Sequence, residues 1–400
     1  MKKHLGLRKV LDKDAFLFVK YPYCLTFCKF CVYKVHKYNK IHSDYFLKYY
    51  GKEVDLYARE LSDFKFKNIH IGGGTPNLIA PHLLIEPLAR LADLGKVKRF
   101  VVEVFPRDDL KKYLRDLRKY PVTKIQLGIQ TINEKILKSI NRNVSRKTIL
   151  DCLEVLSKSP YLWSVDLMYG FSEEDAFAPD YVSELKTVLD YKPHGVHLYP
   201  LRSERTNLFY GKKDKPGVKN LTYKKEIGYL GPILEILSER GYRQILDEWC
   251  LGANQRHAQK TICYNNETGF YSTVVGIGLD GRTYTRTMQY RNTRNLSRYA
   301  SSLEKGIFPI EKYSDFLKNN LYPVYMLRMH QRMGAKFDIG RFLRSSGLSK
   351  PEKNEMLAFL CYLKNKGVRY EIKDGQLRMA TSQYSLYQFL AGKYISAKEG

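Results

Sequence analysis

Between Phe16 and Tyr199 short apolar stretches alternate with amphipathic ones, and this alternation restricts the fold more than any other feature of the chain. Strands are predicted at Phe16–Val19, Asn68–Ile71, Arg99–Phe105, Lys124–Gln130, Trp163–Tyr169 and Gly195–Tyr199. Helices are predicted over Ser43–Leu61, Pro81–Leu94, Asp108–Lys119, Glu134–Ile140, Arg146–Lys158 and Asp180–Tyr191. In the first of these, Phe46, Tyr50, Val54, Tyr57 and Leu61 fall at helical spacing behind a start suited to capping. Strands alternating with helices imply parallel pairing through right-handed crossovers. Six such strands predict an α/β fold, a partial (β/α)6 barrel with its site at the carboxyl ends of the strands.

The alternation then changes. Arg202 to Lys219 is charged, carries Gly211 and the Pro216–Gly217 pair, and reads as an exposed loop over the barrel mouth. A helix over Leu221–Arg240 and a strand-like Tyr242–Leu246 follow. After residue 305 helices near Tyr322–Gln331, Gly340–Arg344 and Pro351–Lys364 precede two short strands, Val368–Ile372 and Gln376–Met379. The expected division is a barrel over 1–210, an extension over 211–304 and a small helical, winged-helix-like domain over 305–400.

Directly after the first strand comes YPYCLTFCKFCVYK, in which Cys24, Cys28 and Cys31 form a C-x3-C-x2-C triplet. Three thiolates on one short loop are enough to hold three irons of a 4Fe–4S cube, leaving the fourth iron open to a small molecule. Zinc, which more often takes two C-x2-C pairs, and chance spacing are the other readings. Disulfides are not expected in a long chain with seven cysteines. The second strand runs into Gly72-Gly73-Gly74-Thr75-Pro76. Such a run is either a tight strand-to-helix turn or a place where bare backbone N–H groups meet charged atoms.

The formal net charge of +27 favours an anionic substrate, nucleic acid or an acidic partner, although a lysine-rich proteome would produce the same excess. No apolar run reaches the length of a membrane span, and MKKHLGLRKVLDKD has no secretory h-region. A cytoplasmic location and no membrane partner are expected. Gly281 to Tyr299, GRTYTRTMQYRNTRNLSRY, holds five arginines and three tyrosines and no acid. It reads either as a solvated loop or as a surface for nucleic acid or a planar anion.

Taken in order, C-x3-C-x2-C, GGGTP, VEVFP, QLGIQTINEKILKSINR, VDLMYG and VGIG resemble the HemN-like branch of the radical S-adenosylmethionine (SAM) superfamily over residues 14 to 300. That branch holds oxygen-independent coproporphyrinogen III oxidases, haem chaperones, haem-degrading enzymes and class C methyltransferases and cyclopropanases. The resemblance implies that Cys24, Cys28 and Cys31 ligate the cluster with Phe30 beside it, and that SAM chelates the open iron. Gly73, Gly74 and Thr75 would contact the methionyl part, Glu103 and Gln130 would accept or donate at SAM, and Arg142 would pair with a carboxylate. Asp166 would take the ribose hydroxyls and Met168 would flank adenine. A second SAM would sit near Phe18, Pro200 and Ile277. Read singly, Glu103 and Asp166 are also compatible with surface acids, Asn141–Arg142 with a solvated C-cap, and His70 and His197 with core or lining residues. Cys152, Cys250, Cys263 and Cys361 read as buried apolar cysteines.

The departures matter as much. Val32-Tyr33 follow Cys31 where the oxidases carry another cysteine, and CYNNETGFYSTVVGIG lacks the His-Asn-x-x-Tyr-Trp signature of the chaperones. Phe18 replaces the branch's tyrosine, Lys20 its histidine, and Leu279-Asp280-Gly281-Arg282 stands where small apolar residues are usual. By elimination, the leading expectation is class C methyl or methylene transfer to a specialised metabolite or peptide, with two SAM molecules and an anionic substrate. Tetrapyrrole chemistry and haem delivery are the rivals. The mechanism the resemblance implies is reductive SAM cleavage to a 5′-deoxyadenosyl radical, fed by a reductant such as flavodoxin or ferredoxin. A nucleic-acid partner is not favoured.

Overall fold

A computed structural model describes residues 4–33, 35–171, 177–201, 223–245, 248–251, 264–265, 270–271, 273–324, 326–327, 337–345, 347–373, 375–379, 390–391, 393–395 and 397–398. The expected loop at Arg202–Lys219 and Cys263 lie outside the described residues. In chain order the first strands are β1 (Phe16–Tyr21), β2 (Tyr23–Cys24), β3 (His36–Lys37), β4 (Asn68–Gly73), β5 (Arg99–Val104) and β6 (Lys124–Gln130). Then come β7 (Leu162–Tyr169), β8 (Gly195–Pro200), β9 (Tyr242–Ile245), β10 (Glu248–Leu251), β11 (Tyr264–Asn265), β12 (Phe270–Tyr271) and β13 (Val274–Ile277). The last are β14 (Arg282–Tyr284), β15 (Met288–Asn292), β16 (Ile310–Asp315), β17 (Phe337–Asp338), β18 (Tyr370–Lys373) and β19 (Gln376–Met379).

Twelve strands form one open sheet, in the order β16-β15-β14-β13-β1-β4-β5-β6-β7-β8-β10-β9. The six expected strands lie side by side and parallel, with helices between them in sequence. A seventh parallel strand, β13, pairs with β1 on its other side, and antiparallel strands extend both edges. The result is a partial, radical SAM-like barrel. Helix α1 (Lys40–Leu61) ends where expected but begins three residues before Ser43, because Asn39 and not the Ser43–Asp44 start is its N-cap, its side chain accepting from the His42 N–H at 3.1 Å. The helix expected over Pro81–Leu94 is broken into a short α turn, His82–Ile85, and 3-10 turns at Glu86–Arg90 and Leu94–Lys96. Pro87 accounts for the break, because it brings no N–H to the helical ladder.

The main apolar core runs from Leu5 to Phe308 and includes Leu17, Val19, Ile71, Ile125, Trp163 and Val275. A second core, from Phe316 to Ile395, gathers Phe342, Phe359 and Leu363 around the helices Ile339–Ser345 and Lys350–Asn365 and the small sheet β17-β19-β18. Because β16 still pairs in the main sheet, this second core begins at Phe316 rather than at residue 305. The Arg/Tyr-rich segment forms the β14–β15 hairpin, and three of its arginines serve as structural clasps. Arg286 grips Glu352 with both guanidinium nitrogens (2.5 and 2.9 Å) and lies 4.1 Å over the Tyr322 ring. Arg291 holds Glu311 at 2.8 Å, and Arg294 holds Asp280 at 2.7 Å. The acids that neutralise them are distant in sequence or flank the run, so the segment alone looked more basic than it is.

Candidate functional site

The cysteine loop leaves the carboxyl end of β1 and is fastened on several sides. β2 and β3 close it as a two-stranded ladder, with Tyr38 N–H donating to Cys24 O at 2.7 Å. The segment after the helix Glu134–Ser139 meets it from across the barrel mouth. Asn141 Nδ2 donates to Phe27 O at 2.9 Å, Lys29 N–H to Ile140 O at 2.9 Å, and Lys29 Nζ to Ser139 O at 2.7 Å. Asn141–Arg142 is therefore a dock for the loop, not a solvated helix end. Phe30 is half-buried against the main core.

Two of the three cysteines have a side-chain donor. Thr75 Oγ1 donates to Cys24 Sγ at 3.4 Å, and Arg142 Nη1 to Cys28 Sγ at 3.5 Å. Burial pushes the Cys24 thiol up to about 11 and raises that of Cys31, so metal binding here must displace protons. Among the described residues no three His, Cys, Asp or Glu side chains converge closely enough to enclose a single metal ion. Ligands of a cube each take a different iron and need not converge, so the donor set suits a 4Fe–4S cluster better than zinc.

The glycine run is shaped by crowding. A Cβ on Gly74 would lie 2.4 Å from Tyr23 O, and one on Gly73, which has φ +101°, 2.6 Å from Lys20 Cγ. The N–H groups expected to receive charged ligand atoms already have acceptors. Gly73 N–H donates to Glu103 at 3.1 Å, Gly74 N–H to Tyr21 O at 2.7 Å, and Thr75 N–H to Tyr23 O at 2.8 Å. Of the two readings, these bonds are those of the tight turn, and the run bolts it to the cysteine loop.

Register places the polar residues. Phe18 pairs with His70 and Gly276, Gln126 with Glu103 and Ser164, and Asp166 with Gly128 and His197. Side chains alternate between faces along a strand, so Phe18, His70, Glu103, Gln126, Asp166, Met168 and His197 share one face. His70 Nε2 lies 2.8 Å from Glu103, and Phe18 packs on the His70 ring at 5.0 Å. Burial works against the Glu103 charge, but His70 and the Gly73 N–H outweigh it and hold the carboxyl below its usual range. Gln126 Nε2 donates to both oxygens of Asp166, and His197 Nδ1 lies 3.0 Å from it. Gly128 is the meeting point: a Cβ there would lie 3.3 Å from Gln130 Nε2, 3.5 Å from Arg142 Nη2 and 3.9 Å from Asp166 Oδ2. Arg142 also donates to Gly128 O and stacks over Phe105 at 4.4 Å, while its Nε is buried without a hydrogen-bond partner.

Two expected residues fall elsewhere. Ile277 is in register with Val19 and Pro200 with Tyr169, on the face opposite Phe18 and Met168, and the Ile277 side chain is fully buried in the core. Of the elements expected around a second SAM, only Phe18 keeps its side chain on the site face. Gln126 is a site-face residue that the sequence reading does not name, Gly72 enters it only as part of the glycine run, and His70 and His197, read as core or lining residues, line this face. Gly72 faces the Glu103 carboxyl, 2.4 Å from where its Cβ would stand. The signal for the others is that each is a polar residue inside an otherwise apolar strand, and register alone aligns them with Asp166 and Glu103.

A three-cysteine loop at the carboxyl ends of a partial barrel is the arrangement of radical SAM proteins, and residues 18–176 match the Radical SAM superfamily. The chain is 26% identical over 313 residues to the haem chaperone HemW of Lactococcus lactis, covering 74% of this chain and 77% of that one. It is 24% identical over 324 residues to the oxygen-independent coproporphyrinogen III oxidase of Pseudomonas aeruginosa, covering 74% and 67%. It spans about half the length of two other relatives, the HemW of Buchnera aphidicola subsp. Schizaphis graminum (53%) and a zebrafish mitochondrial radical SAM domain protein (52%). The solved coproporphyrinogen III oxidase HemN of Escherichia coli superposes with a TM-score of 0.75 at 17% identity, covering 95% of this chain and 89% of that one. Residues 18–176 thus carry the radical SAM match, and over most of its length the chain is similar to HemN-like proteins. The radical SAM match implies a 4Fe–4S cluster and SAM.

Proposed function

We propose that this protein binds a 4Fe–4S cluster through Cys24, Cys28 and Cys31, binds SAM on the adjoining site face, and takes a tetrapyrrole as its ligand or substrate. One observation carries the tetrapyrrole reading: the two relatives compared over 74% of the chain are a haem chaperone and a coproporphyrinogen III oxidase. The +27 charge suits a propionate-bearing ligand. Methyl transfer with a second SAM, the leading expectation from sequence, loses support because Ile277 and Pro200 face away from the site.

When bound, the cluster supplies one-electron reduction of SAM, giving methionine and a 5′-deoxyadenosyl radical. The chain's own residues bind and orient. Arg142, with a free buried Nε, meets a carboxylate, and Gln130 lies beside it. Gly73, Gly74 and Thr75 border the methionyl part, Glu103 receives a donor, Asp166 takes ribose hydroxyls and Met168 flanks adenine. Phe18 and Phe30 shield the site from water, and a low-potential carrier such as flavodoxin or ferredoxin supplies the electron.

The test is anaerobic titration of the reconstituted protein with haem and with coproporphyrinogen III, watched by Soret absorbance and product analysis. Stoichiometric haem binding, or carbon dioxide release with 5′-deoxyadenosine, supports the reading. Absence of both, with S-adenosylhomocysteine formed and deuterium from methyl-labelled SAM in another product, overturns it in favour of methyl transfer.

A further inference from the structure

Among the described residues of the seven parallel strands, Tyr199 alone is exposed, at 42%. β8 runs between β7 and β10, so this is not the exposure of a sheet edge. Tyr199 lies two residues after His197, which puts its ring on the site face. The two rings stand 6.3 Å apart, tilted by 35°, and His197 Nδ1 in turn lies 3.0 Å from Asp166. On the neighbouring strand Tyr199 is in register with Met168. By the same register it stands two residues beyond the level of Asp166 and four beyond that of Glu103. The charged belt therefore lies deeper in the barrel, and the tyrosine ring stands at the mouth.

The cysteine loop leaves β1 at the same end and exposes Leu25, Phe27 and Tyr33. Apolar surface left open at the mouth of a concave site marks a place that a ligand covers. A tyrosine suits a flat, conjugated ligand that bears carboxylates. Its ring face takes dispersion contact with the plane, and its hydroxyl donates to polar groups at the edge. Porphyrinogens, whose bridges are saturated, lack such a plane, so this ring favours the conjugated macrocycle. Adenine, which Met168 would flank, is the rival planar group, and the experiment separates the two.

We propose that Tyr199 is a specificity-determining residue on which a flat tetrapyrrole lies, ring against macrocycle, at the mouth of the barrel. No bond or proton changes. This rests on the tetrapyrrole reading, and the two fail differently. Wild-type chain that binds neither haem nor metal-free coproporphyrin III sinks that reading, and this proposal with it. Wild-type chain that binds the porphyrin, with no loss in the variants, overturns this proposal alone.

The experiment uses the full chain, anaerobically reconstituted with iron and sulfide, in the absence of SAM. The probe is metal-free coproporphyrin III followed by its fluorescence, so ligation of a haem iron by the phenol plays no part. Tyr199→Phe keeps the ring and should keep the wild-type affinity. Tyr199→Ala should weaken binding about tenfold, the order of loss that follows removal of an aromatic ring from beneath a flat base. Tyr199→Leu keeps apolar bulk without a ring; it should weaken binding in the same direction, and it replaces Tyr199→Ala should that variant not fold. Iron content, and SAM affinity by equilibrium dialysis, should match wild type in each. Wild-type porphyrin affinity in the variant without a ring overturns the proposal. An equal loss in Tyr199→Phe assigns the effect to the hydroxyl and overturns it too. So does a fall in SAM affinity with porphyrin affinity unchanged, which places the ring on adenine. Wild type that binds haem but not the porphyrin holds the iron rather than the plane, and again overturns it.

Discussion

Gln126 Nε2 donates to both carboxylate oxygens of Asp166, at 2.9 and 3.1 Å, from the neighbouring strand. Together with His197 at 3.0 Å this fixes the carboxylate on the face that also carries Glu103. Asp166→Ala is predicted to weaken SAM binding while leaving the cluster spectrum intact. A charge-assisted hydrogen bond is worth about 1.5–3 kcal/mol, so the loss should be about ten- to a hundredfold in dissociation constant. Gln126→Leu removes only the support and should cost less. Equilibrium dialysis of labelled SAM against reconstituted variants measures both, and unchanged affinity in Asp166→Ala would show that the ribose end lies elsewhere.

The cysteines admit a sharper expectation. Cys28→Ala and Cys31→Ala should each abolish SAM cleavage to 5′-deoxyadenosine, because an iron loses its only protein ligand. The Cys24/Cys28/Cys31 triple alanine variant should bind no cluster. Iron and sulfide analysis with visible absorbance reads this directly. A triple variant that retains the cluster and cleaves SAM would exclude the loop as its ligand set.

Gly74 lies where the backbone of the cysteine loop passes closest. An alanine methyl would stand 2.4 Å from Tyr23 O and 2.9 Å from Tyr21 O, both main-chain atoms with no rotamer to escape by. Gly74→Ala should therefore push the loop away and break the bonds from Gly74 and Thr75 N–H. Overpacking of this kind typically costs about 1–3 kcal/mol, and cluster loading should fall with it. Wild-type melting temperature together with full iron content would rule out the crowding argument.

The barrel strands and the cysteine loop could be read from the chain because they are local. Apolar runs of period two, a triplet within eight residues and glycines after a strand need no knowledge of distant contacts. What could not be read depends on pairing between remote segments. β13 joins β1 across more than two hundred residues, and no periodicity in either strand announces it. The face on which Ile277 and Pro200 lie follows from register, and a shift of one residue inverts it. Lys20 and Asp280 each looked like an isolated oddity until the fold brought them together. The basic hairpin misled for the same reason, since Glu352 and Glu311 lie outside it.

Glu53 gives a prediction on pH. Its carboxyl lies fully buried on α1, behind the turn after β13, and takes donors from Tyr299 Oη, Gly278 N–H (2.7 Å) and Asn292 Nδ2 (2.6 Å). Burial raises its pKa from 4.5 to about 7, although the three donors work against the shift. Folding thus favours the protonated form. Below the ordinary carboxylate range both states are protonated and this contribution to stability is complete. As pH rises the unfolded chain ionises first, and the contribution is lost progressively until the folded group ionises near 7. The shift corresponds to about 3 kcal/mol across that window, at roughly 1.4 kcal/mol per unit. Urea denaturation of wild type and Glu53→Gln from about pH 4 to about pH 8 should show the wild-type stability falling relative to the variant, and levelling off above the window. A constant difference between the two proteins at every pH would mean that the folded carboxyl titrates as the unfolded one does, the donors Tyr299, Asn292 and Gly278 cancelling the effect of burial, and a wild type that gains stability relative to the variant as pH rises would mean that they outweigh it.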